Sequence, residues 1–185
     1  MSPWALEELP TIECERLLLR GMVMADAEAL LAIFSDSERL RFWGHGPLSD
    51  LTAAQRYVQS QWRGVHAGAR FQWGIEVNRE LVGCCALASL DPHHLSASLN
   101  YVLSPLAGGQ GFAREAAAGV LSFGFSVMGL KRIEADTDPR HERSIAVLNA
   151  LGFQREGLLR SRYSAANERQ DALVFGLLEA DWQSA

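Results

Sequence analysis

The chain has 185 residues, 48% of them hydrophobic and 21% charged, and a formal net charge of −5. That length buries roughly 70% of the surface the unfolded chain exposes, enough for one ordinary core without disulfide or metal staples. The 17 Lys and Arg residues are scattered, which argues against a nucleic-acid surface, and no run approaches the about 18 apolar residues of a membrane helix. Glu7, Glu8, Glu13 and Glu15 stand where a secretory signal would be basic and then apolar, so a cytoplasmic chain is expected.

In chain order, the apolar run Leu17-Leu18-Leu19 predicts a strand, and the pattern from Asp26 to Ser35 a helix. Thr52 with Gln55 forms a capping box for a second helix from Ala53 to His66. From Arg70 the period becomes two: Phe71, Trp73, Ile75 and Val77 alternate with polar or small residues. Asn78-Arg79-Glu80 closes a hairpin into a continuous apolar strand, Leu81 to Leu90, and Leu95 to Leu103 alternates as a third strand ending at Pro105. Three consecutive strands predict an antiparallel run. Cys84 and Cys85 read as small buried thiols within it, and the adjacent His93 and His94 lack the spacing of metal ligands, so no metal site is expected.

Phe112, Ala116, Val120, Phe123 and Val127 mark one stripe of a long helix stopped by Gly129. Lys131 to Asp138 alternates as a strand, with Ile133, Ala135 and Thr137 on one side and Arg132, Glu134 and Asp136 on the other. Ser144, Val147, Leu148 and Leu151 predict a helix with Gly152 at its C-terminal end, and two apolar stretches follow around Tyr163 and Leu173 to Leu178. The fold class is mixed α/β in one domain over residues 1–185.

Between the third strand and the long helix lies SPLAGGQGFAREAAAG. A strand running through glycines into a helix N-terminus presents unpaired N–H groups and the positive end of the helix dipole, a place for an anion. Gly108, Gly109 and Gly111 let backbone approach a pyrophosphate, and Gln110 and Arg114 add side chains. The nucleotide motif GxxxxGK[ST] is absent, and GGQGFA is not GxGxxG, which leaves coenzyme A as the common pyrophosphate carrier.

SPLAGGQGFAREA resembles the acyl-CoA loop of the GNAT superfamily of N-acetyltransferases, in its RimJ/RimL-type branch. ERLLLRGMVMADAEAL is similar to the family's opening strand and helix, and RIEADTDPRHERSIAVLNALGFQREGLLR to its strand, N-x-x-S turn, helix and LGF ending. The resemblance spans nearly the whole chain. Gly108 departs from the Gln or Arg of the superfamily pattern, and His141 stands where the turn would carry Asn.

The resemblance implies a mostly antiparallel sheet of six or seven strands with about four helices, its fourth and fifth strands splayed. It implies acetyl-CoA as acyl donor, held by Val102, Leu103, Gly108, Gly109, Gln110, Gly111, Phe112, Ala113, Arg114, His141 and Ser144. Amine acetylation needs a deprotonated nucleophile, stabilised oxyanion charge and a proton for the leaving thiolate. Free N–H groups of Val102 and Leu103 on the splayed strand fit the second need. Glu134 is the first choice of general base with Asp136 as substitute, and Ser144 is the proton donor, with Tyr101 and Tyr163 as further hydroxyls. Phe42, Trp43, Trp73 and Tyr163 are expected around the acceptor. The branch implies a primary amine on a protein or peptide N-terminus, with a small-molecule amine (amino acid, polyamine or antibiotic) or a non-catalytic CoA-binding regulator as the alternatives, and a homodimer among the possible assemblies.

Overall fold

Two short strands begin the chain, β1 (Ile12–Glu13) and β2 (Leu18–Arg20), in a computed structural model that describes residues 2–35, 40, 47–165 and 168–182. Helix α1 (Ala27–Phe34) and helix α2 (Leu51–Ala67) follow. Asp50, rather than Thr52, caps α2: its carboxylate accepts the Ala53 N–H at 2.8 Å, so the helix starts earlier than the capping-box expectation.

The period-two stretches form β3 (Phe71–Val77), β4 (Glu80–Asp91) and β5 (Ser96–Leu103), antiparallel neighbours as expected. Asn78 and Arg79 both take positive φ, 52° and 68°, which closes β3 onto β4 in a two-residue turn matched to strand twist. Helix α3 (Phe112–Ser126) crosses to β6 (Arg132–Thr137), followed by α4 (Glu142–Ala150), β7 (Gln154–Ala165) and β8 (Glu168–Leu178). Val127 falls beyond α3 and is exposed, so the helix stripe ends one turn short of the sequence expectation.

The sheet has eight described strands in the order β1-β2-β3-β4-β5-β6-β8-β7, antiparallel except for β5 with β6. It exceeds the expected count because the two-residue β1 pairs with β2. Alternation sends neighbouring side chains to opposite faces: Cys84 packs with Met22, Leu30, Ile33 and Val58 on the α1/α2 face, and Cys85 with Val120, Leu121 and Ile133 on the α3/α4 face. Fully burying each such leucine or isoleucine contributes about 1.5–3 kcal/mol, so apolar packing on both faces holds the helices to the sheet.

Gly83 pairs with Leu103 across β4 and β5, and a Cβ there would lie 2.3 Å from the Val102 carbonyl oxygen. Gly83→Ala is expected to destabilise the fold by about 1–3 kcal/mol through forced separation of the two strands. A thermal unfolding midpoint equal to that of the unsubstituted protein would contradict this.

Candidate active site

Strands β5 and β6 pair over only three positions, Ser96 with Arg132, Ala97 with Ile133 and Ser98 with Glu134. Beyond them β5 stays with β4 as far as Leu103, and β6 stays with β8 as far as Thr137. The two strands therefore part, and a cavity of about 1060 Å³ fills the gap. The Ser104 N–H donates to the Val82 carbonyl at 2.7 Å. Ladder alternation then turns the Val102 N–H to β4 and leaves the N–H groups of Leu103 and Tyr101 facing the gap, where no described strand meets them. Of the two donors expected, Leu103 keeps that geometry, while Val102 contributes a side chain to the cavity wall on the α1/α2 face.

The cavity passes through the sheet. On the α3/α4 face it is lined by Gly108, Gly109, Gly111, Ala113, Arg114, His141, Arg143 and Ser144. Gly109 and Gly111 adopt φ of +78° and +85°, conformations that favour glycine, and open space lies over Gly109. Gly111 caps α3 and no side chain accepts its first N–H groups. A helix start with no side-chain cap at a glycine loop, bordered by Arg114 and Arg143, fits a pyrophosphate. Gln110 does not line the cavity: its amide donates to the Leu106 carbonyl at 2.9 Å, which stiffens the loop instead. The Phe112 ring is buried in the core beneath Arg16, so its share in a cradle is confined to backbone.

Ser144 is buried, and its Oγ lies 2.9 Å from the Tyr101 hydroxyl. Burial pushes the Tyr101 phenol up to about 12, so it keeps its proton at neutral pH. His141 begins α4 with Nδ1 3.5 Å from Thr137 Oγ1 and makes no side-chain cap.

On the α1/α2 face the wall includes Ile33, Leu40, Asn100, Asp136, Tyr163 and Gln170. The Tyr163 hydroxyl donates to Asp136, and burial together with that carboxylate pushes the phenol upward. Glu134 is placed differently from expectation. It does not line the cavity; it is exposed and accepts from Arg132 Nε at 2.8 Å, within an ion-pair cluster that also binds Glu156. Trp73 is also displaced from the expected site. It is fully buried on the α3/α4 face, stacked edge-on against Phe123 at 5.3 Å, and donates to the Pro10 carbonyl at 2.7 Å. Phe42 and Trp43 lie outside the described residues. Sequence reading missed Gln170, a buried polar residue with no motif to mark it, and the contacts of Arg16 with the glycine loop.

The sequence profile of the acetyltransferase (GNAT) domain matches residues 16–154. The chain is a member of the GNAT family. An uncharacterized N-acetyltransferase, p20, from Bacillus licheniformis is 32% identical over 94% of this chain and 99% of its own. A spermidine N(1)-acetyltransferase from Escherichia coli K12 is 26% identical over 84% of this chain and 82% of its own. Mycobacterium smegmatis RimJ, solved in complex with CoA-disulfide, superposes with a TM-score of 0.88 at 26% identity, covering 95% of this chain and 90% of its own. As a GNAT acetyltransferase the protein is an enzyme that uses acetyl-CoA to acetylate an amine. Among the described residues no helix is long and apolar enough to cross a membrane.

Burial holds the His141 imidazole below its ordinary value of 6.5, with Arg143 adding to the effect and Asp138 opposing it. The unfolded chain therefore binds this proton at a higher pH than the folded one, so stability is full above about pH 6.5 and is lost progressively below it. The unfolding midpoint is expected to fall from about pH 7 to about pH 5 more steeply in the unsubstituted protein than in His141→Asn. Parallel pH slopes would show that His141 is not held neutral.

Proposed function

We propose that this GNAT acetyltransferase acetylates the N-terminal amine of a protein or peptide, with Asp136 as general base and Ser144, backed by Tyr101, as proton donor. The observation that carries this is the position of Asp136, the carboxylate on β6 that lies beyond the last β5–β6 pair and lines the α1/α2 side of the gap. One of its oxygens accepts from Tyr163, which orients the group and leaves the other for an ammonium proton. Acetyl-CoA supplies the activated acyl group. Leu103 presents a backbone N–H to the gap, and Ser144 Oγ holds a proton on the opposite face, shared with Tyr101. Amine and acyl donor would then approach from opposite sides of the sheet.

Three described carboxylates line the cavity; Asp138 is bound by the Arg140 guanidinium and Glu142 belongs to α4, which leaves Asp136 to the acceptor, beside Ile33, Leu40, Asn100, Val102 and Gln170. One carboxylate suits one ammonium group, and the amides of Asn100 and Gln170 suit a peptide backbone. Similarity to a putative ribosomal N-acetyltransferase, YdaF, from Bacillus subtilis, 25% identical over 91% of this chain, supports a protein acceptor. The second reading, a small polyamine, is favoured by the similarity to the Escherichia coli spermidine enzyme.

The proposal takes residues 1–185 as one catalytic domain, supported by two apolar clusters that share one sheet. It places the protein in the cytoplasm, supported by three free cysteines, of which Cys84 and Cys85 are buried with thiols pushed upward by desolvation. The exposed Leu158 and Leu159 on the edge strand β7 support a homodimer through that edge, which a doubled mass in light scattering checks.

With an N-terminal peptide as acceptor, Asp136→Asn is expected to lower kcat about 100-fold, and Glu134→Gln to stay within about twofold of the unsubstituted enzyme. The reverse order would return the base role to Glu134. Peptides are expected to exceed spermidine in kcat/KM by about tenfold or more, since only one cationic centre meets a carboxylate. A preference for spermidine would establish the second reading.

A further inference from the structure

Arg16 lies on the turn between β1 and β2, outside the cavity wall, yet its side chain reaches the glycine loop 94 residues away. Its NH1 donates to the Gln110 carbonyl at 2.9 Å. Glu115, in the first turn of α3, grips the same arginine three times, accepting its backbone N–H at 2.6 Å, Nε at 2.8 Å and NH2 at 2.7 Å. The guanidinium also lies over the Phe112 ring, 5.1 Å from its centroid. Glu115 sets the angle of the planar fork, and the fork holds the Gln110 carbonyl.

A trans peptide carries its C=O and N–H on opposite edges. Fixing the Gln110 carbonyl toward Arg16 therefore fixes the Gly111 N–H away from it, and Gly111 is a cavity residue whereas Arg16 is not. The contact matters because this peptide is otherwise easy to turn over. Gly111 carries no side chain, and with φ of +85° it occupies a region that glycine enters from either side. A turned peptide would put a carbonyl oxygen where an N–H is needed by an anion. The clamp also crowds Gly111, since a Cβ there would sit 3.1 Å from Arg16 NH2.

We propose that Arg16, aligned by Glu115, is a positioning residue for acetyl-CoA: it locks the 110–111 peptide so that the loop offers N–H groups to the pyrophosphate. This rests on the assignment of the loop to that pyrophosphate. The pair differs from an ordinary surface ion pair in what it constrains. A surface pair affects stability by little, whereas this one sets the direction of a dipole at the binding site.

The experiment compares the unsubstituted protein with Arg16→Ala and Arg16→Lys, the latter keeping the charge while losing the fork. Calorimetric titration with CoA and with pantetheine, which lacks the pyrophosphate, gives the first readout. Both variants are expected to bind CoA about tenfold more weakly, as one charge-assisted hydrogen bond suggests, and to lose less for pantetheine. Turnover of acetyl-CoA should fall more than turnover of S-acetylpantetheine, and the amides of residues 109–111 should exchange hydrogen faster. Equal losses for both ligands, or CoA affinity within about twofold of the unsubstituted protein, would overturn the positioning role. Unsubstituted protein that bound CoA no better than pantetheine would overturn the loop's assignment itself, and the role of Arg16 with it.

Discussion

The parting of β5 and β6 after Ser98 and Glu134 is the constraint on which the site depends. Backbone N–H groups inside a protein need partners, and each strand of a continuous sheet finds them in its neighbours. Here β5 keeps β4 and β6 keeps β8, so the inner edges beyond the split are left to whatever occupies the gap. A sheet that closed fully would bury these groups in a ladder and leave no route between its faces. The hole through the sheet is thus also a set of oriented donors, and it needs no side chain to build them.

Side-chain alternation then divides the labour between faces. On β5, Tyr101 and Leu103 turn to α3 and α4, while Asn100 and Val102 turn to α1 and α2. On β6, Ile133 and Ala135 join the α3/α4 core, which sends Asp136 to the other side. A shift of one residue in either strand would exchange the two sets, putting the carboxylate among the anion-binding elements. The buried alternating residues hold that register, because any slip would expose Ile133 and Leu99 and bury Glu134.

Much of this was legible in sequence because it depends on local chemistry. The strands from Phe71 to Leu103 follow from period-two hydrophobicity, and the glycine loop follows from residues adjacent in the chain. The α2 start was misplaced by two residues because Asp50 and Thr52 are both good caps, and only geometry shows which one receives the Ala53 N–H. Trp73 was read as a pocket residue because an aromatic on a strand gives no sign of which face it takes; its face is set by packing against Phe123, fifty residues away in sequence. Arg16 was unreadable for the same reason, since nothing near it announces Glu115 or the Gln110 carbonyl.

Glu134 and Asp136 show how narrow the margin can be. Two residues apart on one strand, they share a face, and periodicity ranks them equally. They differ in where the neighbouring strand ends. Glu134 is opposite Ser98, the last paired position, and beside Arg132, so its carboxylate is held by a guanidinium outside the cavity. Asp136 stands two residues past the last pair, with Tyr163 on its flank and the gap before it. A strand residue gains access to both faces of a sheet only where its neighbour has turned away. The chemistry available to a carboxylate on β6 is therefore decided by the length of the β5–β6 ladder, a property of two strands that neither one encodes alone.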